Sequence, residues 1–170
     1  MGIIYGLPET AGEESRRRLE AVKACLTNSR LESHVSSDIR KDIWLKFALN
    51  ISQNIPQAIL GAGVGVYAAS EHAAFLCRAM RKEVEELADT FGIDIHIPDD
   101  RVLPHNAGTP KSARYSTLQD LDAKRPTEID MFCKTVMRLA AEKGVNVPYN
   151  TFAYHVIKAL EEKNEGEFQF

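Results

Sequence analysis

The chain has 170 residues, of which 44% are hydrophobic and 26% charged, which is enough apolar material for the core of a globular protein. Its formal net charge of -3 excludes the basic surface that binds nucleic acids or anionic membranes, so we expect neither partner. The longest apolar stretch, 55–69, is broken by Pro56 and three glycines and is unsuited to spanning a membrane. The first residues lack the pattern of a signal peptide, so we expect a soluble, cytoplasmic protein.

The cysteines and histidines are scattered along the chain. Cys25, Cys77 and Cys133 each lie among apolar residues of a helical pattern, which predicts buried free thiols rather than a disulfide, a metal site or a nucleophile. The five histidines do not share a helix face at metal-ligand spacing. We therefore predict that the chain binds no metal.

The first part of the chain has the pattern of a small α/β segment. Residues 2–5 and 31–35 are short runs of strand-forming residues, and residues 13–28 between them are rich in strong helix formers. This order predicts a strand, a helix and a second strand, as found near the end of an α/β domain.

From residue 37 onward the chain is predicted to be nearly all helical. Ser36, Ser37 and Asp38 are candidate caps for a long helix with apolar residues at every fourth position, namely Ile39, Ile43, Phe47 and Ile51. A Gly-rich stretch at 61–65 ends or bends this helix. Ser70 is the expected cap of a second long helix, which stops at Gly92 and has inward residues that include Phe75, Cys77, Met80, Val84 and Leu87.

The remaining pattern predicts a loop and three more helices. The loop contains Pro98, Pro104, Gly108 and Pro110, and the first helix covers roughly 113–123. Thr127 and Asp130 have the spacing of a capping box for the next helix, which carries Met131 and stops at Gly144. A last helix covers roughly 150–162. The fold class is therefore mainly α, with a short α/β piece at the start.

The glycines at 61–65 could suggest a dinucleotide-binding loop. In that fold the glycines follow a strand and open a helix, with an acidic residue about twenty positions later. Here they follow a predicted helix that contains Pro56. We therefore favour a tight turn between helices over a phosphate loop.

Two groups of polar residues could carry chemistry. Lys46, Asn50 and Asn54 are spaced by four residues and drift by only about 40° per step, so they form one polar stripe on a helix. Such a stripe either lines a cleft, where Lys can polarise a carbonyl and Asn can bind hydroxyls, or is an ordinary solvated face. Glu128 follows the candidate cap Thr127, where a carboxylate either stabilises the helix start or takes a catalytic role.

Four segments in order resemble the C-terminal domain of ketopantoate reductases. They are 44–54 (WLKFALNISQN), 116–120 (STLQD), 127–130 (TEID) and 144–150 (GVNVPYN). The resemblance implies a helical domain like the C-terminal domain of 6-phosphogluconate dehydrogenase at 37–170, after a remnant of a Rossmann domain at 1–36. It also implies NADPH-dependent reduction of 2-dehydropantoate, a small 2-keto acid, on the route to pantothenate.

The same resemblance implies roles for five residues. Lys46 would be the catalytic lysine at the reacting carbonyl, and Asn50 and Asn54 would bind substrate hydroxyl and carbonyl groups. Ser116 would bind the substrate carboxylate. Glu128 would be a second catalytic residue, orienting the substrate and contacting the cofactor.

The chain also departs from the family pattern. Tyr115 stands where a serine often precedes the substrate serine, and Cys133-Lys134 replaces a usual small residue. No strand followed by a G-x-G-x-x-G turn is present, so we expect the chain alone to bind NADPH weakly and to lack turnover. The alternative is a non-enzymatic helical module that dimerises or binds a metabolite. Exposed sheet edge and apolar surface near the start would favour a homodimer.

Overall fold

The computed structural model describes residues 2–98 and 109–168, so Pro104 and Gly108 of the predicted loop lie outside the described residues. The chain divides into two compact units, Met1–Lys46 and Phe47–Phe170, and the division falls within a long helix. The sequence predicts a different boundary, between residues 36 and 37, which separates a remnant of a Rossmann domain from the helical domain. This boundary stays a prediction.

The first unit confirms the predicted strand, helix and strand. Strand β1 (Ile3–Tyr5) pairs in parallel with β2 (Ser33–Val35), and helix α1 (Glu13–Thr27) connects them. Two short strands cannot cover a helix of this length, and α1 buries none of its residues. Cys25 on α1 is exposed, so its prediction as a buried thiol is wrong, whereas Cys77 and Cys133 are buried and free.

Helix α2 (Ile39–Leu60) is the long helix that the sequence predicts. Asp38 is its cap, because the Asp38 carboxylate accepts a hydrogen bond of 3.1 Å from the backbone N–H of Lys41. The helix ends at Gly61, whose φ of +61° ordinary residues rarely adopt. Ile51 is fully buried as predicted, but Ile43 is 60% exposed.

The second unit contains the remaining helices of the described residues. After α2 they are α3 (Val66–Ala69), α4 (Glu71–Asp89), α5 (Ser116–Asp122), the π segment (Asp130–Lys134), α6 (Thr135–Lys143) and α7 (Pro148–Glu165). The predicted Ser70 cap is confirmed, since its hydroxyl accepts a bond of 3.2 Å from Ala73 N–H. Gly144 ends α6 with a φ of +69°, also as predicted. The mainly α fold class is confirmed.

The core of the second unit forms where α4 packs against α6 and α7. Its fully buried aliphatic side chains include Ile55, Val84, Leu87, Ile129, Val136 and Ile157. The prediction that Phe75 points inward is wrong, because Phe75 is 50% exposed; Met131 is 63% exposed. Phe75 lies at the surface edge-on to Tyr149, and Met131 lies in the π segment, whose wider turn shifts the inward positions away from a regular helical spacing. No helix in residues 2–98 or 109–168 has the length and apolar character needed to cross a membrane.

Candidate active site

Helix α2 carries the predicted row of Lys46, Asn50 and Asn54. Lys46 is exposed, Asn50 is half-buried, and Asn54 is only 7% exposed. A solvated face would leave all three side chains in water. Burial instead deepens along the row, so the asparagines do not belong to an ordinary solvated helix face.

Lys46 lies in the first unit and lines a cavity of about 360 Å³ together with Gly2, Ile4, Ile39, Asp42 and Ile43. Asp42 is one helical turn before Lys46, but its carboxylate accepts a hydrogen bond from the Ser36 hydroxyl. Within the described part of the chain, no carboxylate lies at ion-pair distance from the Lys46 ammonium. The ammonium group is therefore available to an anionic or carbonyl ligand.

Ser116 is the first residue of α5 and is exposed. The chain just before it is fixed to α2 by Gln57, which is fully buried. The Gln57 side-chain oxygen accepts a hydrogen bond of 2.7 Å from Tyr115 N–H, and its amide nitrogen donates one of 3.1 Å to the Ala113 carbonyl. The two ends of one buried amide thus bond to Ala113 and Tyr115, in the segment that leads directly into Ser116.

The side chain of Tyr115 packs back against the core of the second unit. It contacts the buried cluster formed by Val64, Tyr67, Ala73 and Cys77. Its hydroxyl donates a hydrogen bond of 3.2 Å to the Gln53 side-chain oxygen, and the Tyr67 hydroxyl donates to the Gln53 backbone carbonyl. Burial raises the pKa of both tyrosines, so both hydroxyls remain neutral donors. Tyr115 therefore anchors the chain before Ser116.

Glu128 is exposed and lies two residues before the start of the π segment, and its backbone carbonyl accepts a bond of 3.1 Å from Phe132 N–H. The reciprocal capping box with Asp130 is not formed, because Thr127 N–H donates to the Glu161 carboxylate at 2.6 Å, but Thr127 still caps the segment, since its hydroxyl accepts a hydrogen bond of 3.2 Å from Ile129 N–H. The Thr127 hydroxyl also donates to Glu161, at 2.7 Å. Asp130 instead accepts bonds from Tyr154 and Lys134.

Glu161 is a nearly buried carboxylate on α7, with 7% exposure. Burial raises the pKa of this group, but hydrogen bonds from Lys158 and Thr127 outweigh burial and place the pKa below its ordinary value. The charged form of Glu161 therefore holds the turn that presents Glu128.

The predicted site residues of the second unit are brought together by the fold of the chain around α2 and not by hydrogen bonds among themselves. No side-chain hydrogen bond joins Asn50, Asn54, Ser116 and Glu128, all of which are described. Asn50 and Asn54 share one side of α2, and the Gln57 bonds tie the chain before Ser116 to that helix. Gln57 and Glu161 are not among the residues predicted from the sequence; a local signal for Gln57 is its position three residues after Asn54 on one helix.

The glycines at 61–65 serve the packing of two chain segments. A Cβ atom on Gly63 would meet the Lys111 carbonyl oxygen and lie 2.7 Å from Ser112 Cα. The backbone N–H groups of Val64 and Gly65 donate to the carbonyls of Ala113 and Lys111, at 2.8 and 2.9 Å. These donors are used within the protein, so the run does not fit a cofactor pyrophosphate.

The family model described as "Ketopantoate reductase PanE/ApbA C terminal" matches residues 38–161. The 2-dehydropantoate 2-reductase of Mesorhizobium japonicum is 32% identical over 135 residues, covering 79% of this chain and 41% of the relative. That of Pyrobaculum aerophilum is 34% identical over 125 residues, covering 73% of this chain and 44% of the relative. The chain thus spans less than half the length of these two relatives.

Solved structures share the fold at lower sequence identity. A PanE/ApbA family ketopantoate reductase from Ralstonia eutropha superposes with a TM-score of 0.76 at 22% identity, covering 97% of this chain and 53% of that one. D-mandelate dehydrogenase, in its ternary structure with NADH and anilino(oxo)acetate, gives a TM-score of 0.80 at 21% identity, covering 97% of this chain and 69% of that one. The chain belongs to the ketopantoate reductase family and represents its helical C-terminal domain.

Proposed function

We propose that the chain is the substrate-binding and catalytic half of an NADPH-dependent reductase that converts 2-dehydropantoate to pantoate. The supporting observation is the row of Lys46, Asn50 and Asn54 on α2, inside the segment that matches the family. Side chains of this kind suit a small molecule with a ketone, a hydroxyl and a carboxylate.

Lys46 is proposed as the catalytic residue. Reduction of a ketone by hydride places negative charge on the carbonyl oxygen, and a nearby cation stabilises that charge in the transition state. The ammonium group of Lys46 is exposed and has no carboxylate partner among the described residues, so it can donate a hydrogen bond to this oxygen and help supply its proton.

Asn50 and Asn54 are proposed to bind the substrate hydroxyl and carbonyl groups. Asn54 is only 7% exposed, yet no other residue in the described part of the chain forms a hydrogen bond with its side-chain amide. A buried amide gains most when both its donor and its acceptor are used, and a polyfunctional substrate offers partners for both.

Ser116 and Glu128 are proposed to complete the site. The Ser116 hydroxyl, at the first position of α5, would donate to the substrate carboxylate. Glu128 would act as the second catalytic residue by orienting the substrate beside the cofactor. Both residues are exposed and follow segments fixed by buried side chains, Gln57 for Ser116 and Glu161 for Glu128.

A nicotinamide cofactor would supply the hydride, and we propose NADPH. The glycines at 61–65 do not fit its pyrophosphate, so we assign the phosphates to a nucleotide-binding half that this chain does not supply. Glu128 is the residue of this chain that we place beside the cofactor.

The first unit presents a surface suited to a covering partner. Five of its large apolar side chains are at least 38% exposed, namely Ile3, Ile4, Val22, Leu31 and Ile43. A two-stranded sheet with one uncovered helix is marginal alone, so we propose that a nucleotide-binding half or a second copy of the chain covers some of these side chains. A dimeric ketopantoate reductase from Staphylococcus aureus shares the fold of this chain at 18% identity. Light scattering of the chain alone tests for the dimer, which a monomer over a wide concentration range would contradict.

The second candidate is a non-enzymatic module that keeps the helical fold and binds a metabolite or dimerises. It is favoured by Tyr115 and Lys134, which depart from the family pattern close to the proposed site. Catalysis separates the two candidates, because a module binds a keto acid without reducing it.

The experiment is a reductase assay in a protein that combines this chain with a nucleotide-binding half, supplied in the same polypeptide or by mixing. We expect NADPH oxidation that depends on 2-dehydropantoate and is slower with NADH or with an aromatic 2-keto acid. The chain alone should be inactive. If the combined protein does not oxidise NADPH but calorimetry shows that it still binds the keto acid, the non-enzymatic module is favoured.

A further inference from the structure

We infer that Gln57 is a positioning residue that holds Ser116 in register with Asn50 and Asn54. The inference rests on the proposed function, in which Ser116 binds the substrate carboxylate. Gln57 does not touch the substrate in this scheme. It acts through the backbone that leads into Ser116.

The position of Gln57 on α2 links the two halves of the proposed substrate site. Gln57 follows Asn54 by three residues, and Gln53 follows Asn50 by three, so each lies about 60° to one side of its asparagine around the helix. The two glutamines therefore form a second row beside the asparagine row. The first row offers amides to a ligand, and the second fixes the chain that presents Ser116.

The contacts of Gln57 require both functions of an amide. Its oxygen accepts from Tyr115 N–H at 2.7 Å, and its nitrogen donates to the Ala113 carbonyl at 3.1 Å. A carboxylate would keep the first bond but face the Ala113 carbonyl without a proton to share. A thioether or alkyl side chain would lose both bonds.

Burial makes the loss of either of these two bonds energetically costly. Gln57 is fully buried, so its amide has no water to replace a lost partner. Tyr115 adds a second anchor through its hydroxyl bond of 3.2 Å to Gln53. The segment from Ala113 to Tyr115 is thus bonded to α2 at three points, and Ser116 is the next residue.

The test uses Gln57→Glu and Gln57→Met in the combined protein that is active in the reductase assay. Loss of one or both bonds should raise the KM for the 2-keto acid about tenfold, with kcat and the KM for NADPH changed about twofold or less. Val136→Ala is the matched control. It removes methyl groups from a fully buried position on α6, so it should lower the melting temperature without raising the keto-acid KM.

A double-mutant cycle with Ser116→Ala separates positioning from general destabilisation. If Gln57 acts through Ser116, adding Gln57→Glu to Ser116→Ala should raise the keto-acid KM by about twofold or less. Full additivity of the two changes in log KM would overturn the inference. So would an unchanged KM in both Gln57 variants when Ser116→Ala alone raises it.

The two levels of the proposal fail in different ways. If Ser116→Ala leaves the keto-acid KM unchanged, the carboxylate role of Ser116 is wrong and the positioning role falls with it. If Ser116→Ala raises the KM and the Gln57 variants do not, the proposed function stands and the role of Gln57 alone is wrong. Gln57→Met has a similar length and buries no charge, which leaves a folded variant to measure if Gln57→Glu unfolds.

Discussion

The carboxylate of Glu161 accepts hydrogen bonds from both the N–H and the hydroxyl of Thr127, at 2.6 and 2.7 Å. The two residues are 34 positions apart, and the bonds join α7 to the turn that contains Glu128. The Lys158 ammonium donates to the other carboxylate oxygen at 2.6 Å. Three donors thus hold one charged group at the base of a proposed catalytic turn.

We predict that Glu161→Gln lowers the free energy of unfolding by about 2 kcal/mol at pH 7, because charge-assisted hydrogen bonds from Thr127 and Lys158 are weakened. The folded-state pKa of Glu161 lies below its ordinary value, so its contribution is complete above the unfolded-state pKa and disappears as the pH falls through the folded-state pKa. Urea unfolding between neutral and acidic pH should therefore show the wild type losing stability toward the level of the variant.

Glu162→Gln is the matched control, since Glu162 is the exposed neighbour of Glu161 on α7. It should change stability by about 0.5 kcal/mol or less at all pH values tested. A wild type and a Glu161→Gln variant separated by the same free energy at neutral and acidic pH would contradict the assigned role of the charge.

Glu83 lies on α4 but caps the start of α7, and we predict that this contact stabilises the fold. Its carboxylate accepts bonds from the N–H groups of Tyr149 and Asn150, at 2.8 and 2.9 Å, and from the Asn150 side chain at 2.6 Å. Glu83→Ala leaves these buried donors without an acceptor and should lower the free energy of unfolding by about 3 kcal/mol. Thermal and urea unfolding measure this loss.

Glu86→Ala provides the comparison for Glu83→Ala. Glu86 is exposed on the same helix and forms only a surface ion pair of 3.9 Å with Lys82. Its removal should cost about 0.5 kcal/mol or less. Equal effects of the two substitutions would mean that the capping bonds do not stabilise α7.

Gly63→Ala is predicted to destabilise the second unit by about 2 kcal/mol, because its Cβ would collide with backbone at Lys111 and Ser112. Gly12→Ala is the control, since Gly12 has a φ of -73° and no atom within 4 Å of an added Cβ. That control should change stability by about 0.5 kcal/mol or less, since alanine fits this backbone conformation and Gly12 makes no side-chain cap bond. Circular dichroism melts of both variants measure the difference, and a neutral Gly63→Ala would contradict the tight approach.

The elements of this fold were predictable wherever the signal is local. The Asp38 and Ser70 caps, the end of α6 at Gly144 and the two strands on either side of α1 all follow from residues close together in the sequence. The row from Lys46 to Asn54 also follows, because helical spacing alone sets it. These features depend on propensity and periodicity.

The bonds that fix the candidate site could not be predicted in this way. Gln57 and Tyr115 are 58 positions apart, and no local pattern brings a glutamine to a particular backbone N–H. At Thr127 the local capping-box pattern was outweighed by a carboxylate from α7. Cys25 shows the same limit, since burial of a helical cysteine depends on what packs against its helix.

The reductase assay of Lys46→Ala in the combined protein tests the central claim most directly. Lys41→Ala is the control, because Lys41 lies on another face of α2 and takes no proposed part in the site. Loss of the cation at the reacting oxygen should reduce kcat by about a hundredfold or more, while Lys41→Ala keeps nearly full activity. Undiminished turnover of 2-dehydropantoate by Lys46→Ala would contradict the account.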